Sequence, residues 1–153
     1  MFNIPLKSDN QVPDQRFVDF ISQHHVLTLA TCEANQPYCC NCFYVYNQQK
    51  GYFVIKSGLK TRHTGELISN SLVAGSIVLE SDTVGKIQGL QFMAKAVVVQ
   101  DEMLDEAKSL YVDAFPYSAL EPGVFTVLNL TFAKLTDNRL GFGKKISWTI
   151  SNN

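Results

Sequence analysis

The sequence predicts a mainly β fold: a closed or partly closed antiparallel barrel of six to seven strands with a few short helices. Apolar, aromatic and β-branched residues form short runs, and clusters of turn residues separate these runs at close intervals. Only a few short segments show the helical spacing of apolar residues. Short connections favour antiparallel pairing, and closure hides sheet edges that would otherwise promote aggregation.

Composition limits the classes of function. The chain has 153 residues, so residues 1–153 are interpreted as a single domain with a substantial core. Apolar residues make up 46% and charged residues 18%, which is typical of a compact globule. A net charge of −1 offers no electrostatic basis for a nucleic-acid partner. No apolar run could span a bilayer and no secretory pattern opens the chain, so we expect no membrane partner and a cytoplasmic location.

The first part of the chain predicts one helix and a three-stranded meander. Residues 1–12 are interpreted as an irregular lead-in, after which Pro13 and Asp14 open a helix. Strands are predicted over residues 26–31, 38–46 and 52–55, with turns at 33–37 and 47–51.

The second part predicts two helices and further strands. A helix over residues 61–70 is followed by strands over 72–79 and 87–100, a helix from Asp101, a strand over 124–135 and a last strand from Ile146. Gly89 lies inside a predicted strand, which is typical of a bulge or a close backbone approach.

One segment combines a strand with a cluster of cations and hydroxyls. After the strand that begins at Tyr52 come Lys56, Ser57, Lys60, Thr61, Arg62 and His63, and then a helix. The unpaired N–H groups of a helix start carry partial positive charge. An Arg, Lys and hydroxyl groups add further donors for an anion. The cluster predicts a phosphate site; the alternative is a solvated loop with a Thr helix cap.

Three of the four cysteines lie in one predicted strand. Alternation places Cys40 and Cys42 on one face of the strand and Cys39 on the other. No histidine is close in sequence and no second ligand pair has zinc-like spacing, so no metal site is predicted. The cysteines are interpreted as reduced and mostly buried thiols, although a distant histidine could approach them in the fold.

Four stretches carry a resemblance to a known family. They are CNCFYVY (residues 40–46), KTRHTGEL (60–67), GLQF (89–92) and, the most specific, TDNRLGFGKKISW (136–148). The chain from about Val26 onward resembles the FMN-binding split barrels of the pyridoxamine 5′-phosphate oxidase-like superfamily, and within it the small bacterial YhbP-like proteins. The resemblance implies a six- to seven-stranded antiparallel split β-barrel with FMN as the cofactor.

The resemblance implies how the FMN phosphate would be held. Ser57, Thr61 and Arg62 match the phosphate-binding stretch of the family. His63 stands where Lys is usual and Lys56 where an aromatic residue is usual. Lys60, just before the helix, could compensate for the weaker anion contact of a neutral histidine.

Further cofactor contacts follow from the same resemblance. The strand that faces the flavin ring contributes Asn41, Cys42, Phe43 and Tyr44, and the later strand contributes Gln88 and Gln91. For Phe43 and Tyr44, packing in the core is the alternative role. The resemblance also implies a homodimer with FMN between subunits, in which the C-terminal segment of the second chain completes the pocket through Lys144, Lys145 and Trp148.

These observations lead to an FMN-binding oxidoreductase acting on a small-molecule substrate, with no residue predicted as a general acid or base because the flavin does the chemistry. The alternative is a non-catalytic module of the same fold that binds flavin, haem or another cofactor. The pair His24 and His25 could ligate haem or simply cap a helix. A structural dimer without a ligand is the third hypothesis.

Overall fold

The computed structural model describes residues 12–150. Within that range it contains three α-helices and seven β-strands. The helices are α1 (Gln15–Ser22), α2 (Arg62–Ser69) and α3 (Asp101–Ala114). The strands are β1 (Val26–Glu33), β2 (Gln36–Asn47), β3 (Tyr52–Ser57), β4 (Leu72–Leu79), β5 (Gln88–Val98), β6 (Val124–Asp137) and β7 (Lys145–Thr149).

All but one residue of the predicted lead-in lie outside the described range. Among the described residues, none of the helices has the length and apolar character needed to cross a membrane.

The strands form one antiparallel sheet that closes on itself. Their order is β3-β2-β1-β4-β5-β6-β7, and β3 also pairs with β6. The closing ladder runs from Tyr52 opposite Asn129 to Ser57 opposite Val124. Six strands therefore form the barrel, while β7 adds to the second half of β6. This arrangement confirms the predicted antiparallel split barrel.

The barrel interior is filled by the apolar side chains that point inward at every second position of the strands. Phe53 is fully buried. Its ring centroid lies 5.1 Å from that of Tyr44 and 5.0 Å from those of Tyr46 and Phe92. Helix α1 packs its apolar face against the same core.

A smaller core lies outside the barrel, under α3. Tyr52, Val54 and Val127 point outward from β3 and β6 and pack against Ala107 and Tyr111 of α3. Because β3 is covered on both faces, its first four residues are all buried and read as a continuous apolar run. The run conceals the alternation, so the sequence alone does not show which residues of β3 face the barrel.

The β1–β2 hairpin is tighter than predicted. Ala34 and Asn35 have φ values of 48° and 62°. Two central residues with positive φ match the primed turns that suit the twist of paired strands. Pairing therefore continues up to Glu33 opposite Gln36, where the sequence predicted a longer turn.

The bulge expected at Gly89 is absent from that position in the described sheet. Gly89 pairs regularly with Val78 on one side and Thr136 on the other. The register shifts instead between Met93 and Ala94, opposite β6. The close backbone approach is found at Gly75 of β4, beside the ring of Phe92.

Candidate functional site at the start of helix α2

A polar corner forms where β2, β3 and the start of α2 meet. We define the α2 corner as the first-turn amides of α2 together with the side chains of Cys40, Cys42, Ser57, Thr61, Arg62 and His63. Strand alternation directs the two cysteines and Ser57 to the inner side of the barrel wall, whose neighbouring positions are apolar. Because α2 begins five residues after the end of β3, its first turn lies against this part of the wall.

Hydrogen bonds connect the hydroxyl groups of the corner to its histidine. His63 Nε2 lies 2.8 Å from Ser57 Oγ and 3.4 Å from Thr61 Oγ1. The sulfur atoms of Cys40 and Cys42 are 3.8 Å apart. One ring nitrogen of His63 and the two sulfurs all lie within 4.8 Å of one another. A histidine thus reaches the cysteine pair in the fold, although none is close to it in sequence.

The two thiols of the corner differ in acidity. Cys40 accepts hydrogen bonds from Cys42 and, more weakly, from His63, and these bonds lower the pKa of Cys40 against the opposing effect of burial. Cys42 donates to Cys40 and is more deeply buried, so its pKa is raised. Cys40 is therefore the sulfur that carries negative charge first.

The N-terminus of α2 is open to an anion. Thr61 has the extended backbone of an N-cap, but its side chain caps no amide of the helix. Its hydroxyl instead donates to the carbonyl of Gly58 at 2.9 Å and lies 2.8 Å from Thr64 Oγ1. The amides of the first helical turn keep their partial positive charge for an external acceptor.

Arg62 is the first residue of α2 and carries an exposed guanidinium. Its Nε donates to Glu66 Oε1 at 2.7 Å, and its Cζ lies 4.4 Å from the ring centroid of Tyr38. The Arg62 side chain is 54% exposed, whereas that of Glu66 is 5% exposed. Thr31 also donates to Glu66, at 2.5 Å. The contacts with Glu66 and Tyr38 fix the orientation of the guanidinium on the protein surface, and the rest of the group stays in solvent.

Glu66, Tyr38 and Thr31 are site residues that the sequence analysis missed. The spacing of Arg62 and Glu66 along the helix is the i,i+4 spacing of a stabilising ion pair, and it was available as a signal. The contacts with Tyr38 and Thr31 depend on the packing of α2 against β1 and β2, which no local pattern reveals.

The Glu66 contacts predict a pH-dependent stability. Hydrogen bonds from Thr31 and Arg62 lower the pKa of Glu66 from its ordinary value of 4.5. A lowered carboxyl pKa contributes stability above the unfolded-state value, and that contribution is lost as pH falls through the folded-state value. We expect Glu66→Gln to melt at a lower temperature than wild type at neutral pH and the difference to shrink below pH 4.5. Thermal melts across this range measure it; a difference independent of pH would contradict it.

Lys56 does not join the corner. It points away from the barrel interior, on the opposite side of β3 from Ser57. Its ammonium donates to the backbone carbonyls of Ser118 and Glu121, and it lies 5.4 Å from the ring centroid of Phe125. The structure therefore does not bring the predicted contact Lys56 together with Ser57, whereas Lys60 is exposed in the loop before α2.

The predicted ring-contact strand divides between two faces. Asn41 and Phe43 lie on the outer face of β2, where Asn41 accepts a hydrogen bond from Thr28 and Phe43 is 55% exposed. Cys42 and Tyr44 lie on the inner face. The hydroxyl of Tyr44 donates to the carbonyl of Ile21 at 2.6 Å, so this side chain serves the core.

The two predicted glutamines of β5 also separate. Gln91 is exposed between Ser76 and Lys134 on the neighbouring strands. Gln88 is half-buried at the first position of β5. No hydrogen bond among the described residues connects either side chain to the α2 corner.

The C-terminal segment lies away from the corner within one chain. Lys144 and Lys145 are exposed, and Trp148 is half-buried against the barrel core. Strand β7 pairs with the second half of β6, whereas β3 pairs with the first half. The end of β3 and the C-terminal segment therefore lie beside opposite halves of β6.

A separate cavity of about 680 Å³ lies between α1, β2 and α3. Its lining includes Val45, Leu110 and Phe115 together with His24 and His25. Burial, and to a smaller extent the neighbouring His25, lowers the pKa of His24, so this imidazole is neutral over a wider range of pH. The volume is in the range of small-molecule sites.

The closed six-stranded barrel with a helix N-terminus at one corner defines a split-barrel protein. The chain belongs to the Pyridoxamine 5'-phosphate oxidase family, whose sequence profile matches residues 13–138. It is 37% identical to a UPF0306 protein of Photorhabdus laumondii over 129 aligned residues. The alignment covers 84% of this chain and 90% of that protein. The resemblance found in the sequence is confirmed.

Two solved structures share the fold. A heme binding protein from Mycobacterium smegmatis aligns with a TM-score of 0.71 and 18% identity, over 84% of this chain and 54% of that chain. A FAD-binding protein from Mesorhizobium loti aligns with a TM-score of 0.63 and 14% identity, over 81% of this chain and 94% of that chain. At these identities the likeness concerns the fold alone.

Proposed function

We propose that this protein binds FMN with its phosphate at the N-terminus of α2, and that it acts as an oxidoreductase on a small substrate. One observation carries the proposal. The first turn of α2 lacks a side-chain cap, and Arg62, the first residue of the helix, carries an exposed guanidinium. A phosphate dianion accepts hydrogen bonds from both kinds of donor.

The hydrogen bonds inside the corner refine the set of phosphate contacts. Ser57 and His63 already hydrogen-bond to each other on the inner side, and of the Arg62 nitrogens only Nε donates to Glu66. We therefore assign the phosphate to the first-turn amides and the outer nitrogens of Arg62. The hydroxyl of Thr61 would join them only by turning its proton away from the carbonyl of Gly58. Lys60 adds charge from the preceding loop, and Lys56 is left out.

The outer face of β2 provides a surface for the flavin ring. Phe43 is exposed there and contacts Phe115 edge-on at a centroid distance of 5.5 Å, and Asn41 offers an amide beside it. A planar ring binds to apolar walls with a few polar groups at its edge. When bound, FMN would supply hydride or electron transfer, and the chain's own residues would hold the phosphate and orient the ring.

A second copy of the chain would complete this site. Leu72, Val78 and Met93 on β4 and β5 are 60%, 66% and 51% exposed. Apolar side chains of this size on neighbouring strands favour burial against another protein surface. In the proposed homodimer, Lys144 and Lys145 of one chain approach the cofactor of the other. Trp148 packs against the barrel of its own chain and so holds strand β7 in place.

Titration of FMN against Arg62→Ala tests the phosphate assignment. Loss of one charge-assisted interaction is expected to raise Kd by about tenfold to a hundredfold. The matched control is Arg16→Ala, since Arg16 of α1 is also an exposed arginine paired with a carboxylate, that of the N-cap residue Asp14. Quenching of flavin fluorescence measures Kd. If wild type does not bind FMN in the micromolar range, or both variants weaken binding equally, the assignment is wrong.

Turnover needs a separate measurement. Reduction of bound FMN by NADH or NADPH, followed by reoxidation by an added acceptor, is the expected behaviour of an oxidoreductase. Bound FMN that stays oxidised with both donors would favour a binding module without turnover.

Haem binding is the second candidate function, and the cavity between α1 and α3 favours it. The cavity is lined by two imidazoles, by apolar side chains and by the polar Asn47, Gln48 and Gln49, and a neutral imidazole is a haem iron ligand. The heme binding protein from Mycobacterium smegmatis shows that a related fold can carry haem. Absorption spectra of the purified protein separate the candidates, because flavin and haem have different visible bands.

A further inference from the structure

We propose that Cys40, Cys42 and His63 form a binding site for Zn²⁺, with three protein ligands and an open fourth position. The proposal stands on the geometry of these three side chains and is independent of flavin binding. It concerns the inner layer of the α2 corner, below the groups assigned to the phosphate.

The distances match those of a tetrahedral site. Zn–S bonds of about 2.3 Å at a tetrahedral angle separate two sulfurs by about 3.8 Å. The sulfurs of Cys40 and Cys42 are 3.8 Å apart, and the His63 nitrogen lies within 4.8 Å of both.

The fold supplies these ligands without a local sequence motif. Two residues of one strand separated by a single residue point the same way, so Cys40 and Cys42 enter the site together. The third ligand arrives from the first turn of α2, which the β2–β3 pairing places against the same part of the wall. Ser57 Oγ lies 2.8 Å from Nε2 of His63 and can orient the ring when Nδ1 is the metal ligand, as polar neighbours of metal-bound histidines commonly do.

The ligand types and burial select the metal. Two thiolates and an imidazole are soft ligands that suit Zn²⁺ and do not suit Mg²⁺ or Ca²⁺. Cys42 is 7% exposed, whereas Cys40 and His63 are half-buried, so the site is shielded and still reachable from solvent. Binding displaces the thiol protons to the buffer, and the resulting complex has no net charge.

Metal titration of the full chain, reduced and stripped of metal, tests the proposal. Zn²⁺ in competition with a chromophoric chelator is expected to bind at one ion per chain. Co²⁺ in its place is expected to give the intense visible bands and thiolate charge-transfer absorption of a tetrahedral site with sulfur ligands. Absence of stoichiometric binding would overturn the proposal, and so would Co²⁺ spectra without a thiolate band.

Variants assign the ligands. Cys40→Ser and His63→Ala are expected to weaken Zn²⁺ binding by at least about a hundredfold, because each removes a direct ligand. Cys39→Ser is the matched control, since Cys39 lies in the same strand on the opposite, exposed face. His25→Ala is the control for the histidine. Equal losses in ligand and control variants would overturn the assignment.

Two further measurements keep the result unambiguous. Circular dichroism identifies a variant that fails to fold. Cys42 is buried, so a loss of binding in Cys42→Ser could come from misfolding, and the assignment of the sulfur ligands depends on Cys40→Ser. Thiol counting under air identifies a Cys40–Cys42 disulfide, and a wild-type protein that forms this bond rather than binding Zn²⁺ would also overturn the proposal. FMN titrations on the zinc-free protein show separately whether the flavin site fails.

Discussion

Phe53→Ala is expected to lower the free energy of unfolding by about 3–5 kcal/mol, the usual cost of removing a buried aromatic ring. Phe53 is fully buried at the centre of the barrel and contacts the rings of Tyr44, Tyr46 and Phe92. These three rings belong to two other strands, so they cannot collapse together without disturbing the barrel wall. Much of the cavity would therefore remain, which places the cost at the upper part of the range.

Denaturant unfolding measures this loss as a shift of the midpoint. Phe142→Ala is the matched control, because Phe142 is 82% exposed. It is expected to change stability by no more than about 0.5 kcal/mol. A Phe53 variant as stable as the Phe142 variant would show that the aromatic cluster does not form the centre of the core.

Gly75→Ala is the second substitution with a large expected effect, a loss of about 3 kcal/mol at the upper end of overpacking costs. A β-carbon at Gly75 would lie 2.5 Å from the carbonyl oxygen of Thr28 and 2.7 Å from Cε1 of Phe92. The carbonyl belongs to the paired strand β1 and cannot move without breaking the ladder. The ring of Phe92 occupies the space that a side chain would take, as aromatic residues do beside glycines in sheets.

Gly89→Ala is the control for Gly75. Gly89 lies in the same β4–β5 ladder, but a β-carbon there would be 3.6 Å from the nearest atom, an ordinary contact. Thermal melts of the two variants are expected to show a large loss at Gly75 and little change at Gly89. Equal losses would mean that the loss of glycine flexibility, rather than the close approach at Gly75, determines the effect.

The α2 corner separates its chemistry by depth. The inner layer holds Cys40, Cys42 and His63, and the outer layer holds Thr61 and Arg62 with the helix amides. The two layers meet at one hydrogen bond, that between Thr61 and His63. Zinc and FMN titrations therefore report on different groups of the same corner.

Much of the fold could be predicted from the sequence. The strand and helix periods are local properties, so the pattern predicted the elements and their order to within a few residues. The segment with Thr61 and Arg62 was predicted at a helix start, because a strand passing into a cluster of hydroxyls and cations marks that boundary. The turn at Ala34 and Asn35 was predicted too long, because a primed turn is usually recognised by a glycine and neither residue is one.

The spatial arrangement of the predicted site residues depends on strand direction and helix packing. Lys56 was included among the phosphate contacts as one of the cations that follow the strand, yet adjacent residues of a strand face opposite ways, and Lys56 faces away from Ser57. The burial of β3 on both faces hid that alternation. His63 was considered only as an anion contact, because its distance of more than twenty residues from the cysteines gave no local spacing to recognise.

The sequence by itself determined the strands, the helices and the residue types available at the start of α2, because hydrophobic period and turn chemistry act over a few neighbouring residues. Only the tertiary structure decided which of those residues meet. Closure of β3 on β6 directs Ser57 inward and Lys56 outward, and the packing of α2 brings His63 to the cysteine pair. Such contacts depend on the register of whole strands, which no short segment of the chain encodes.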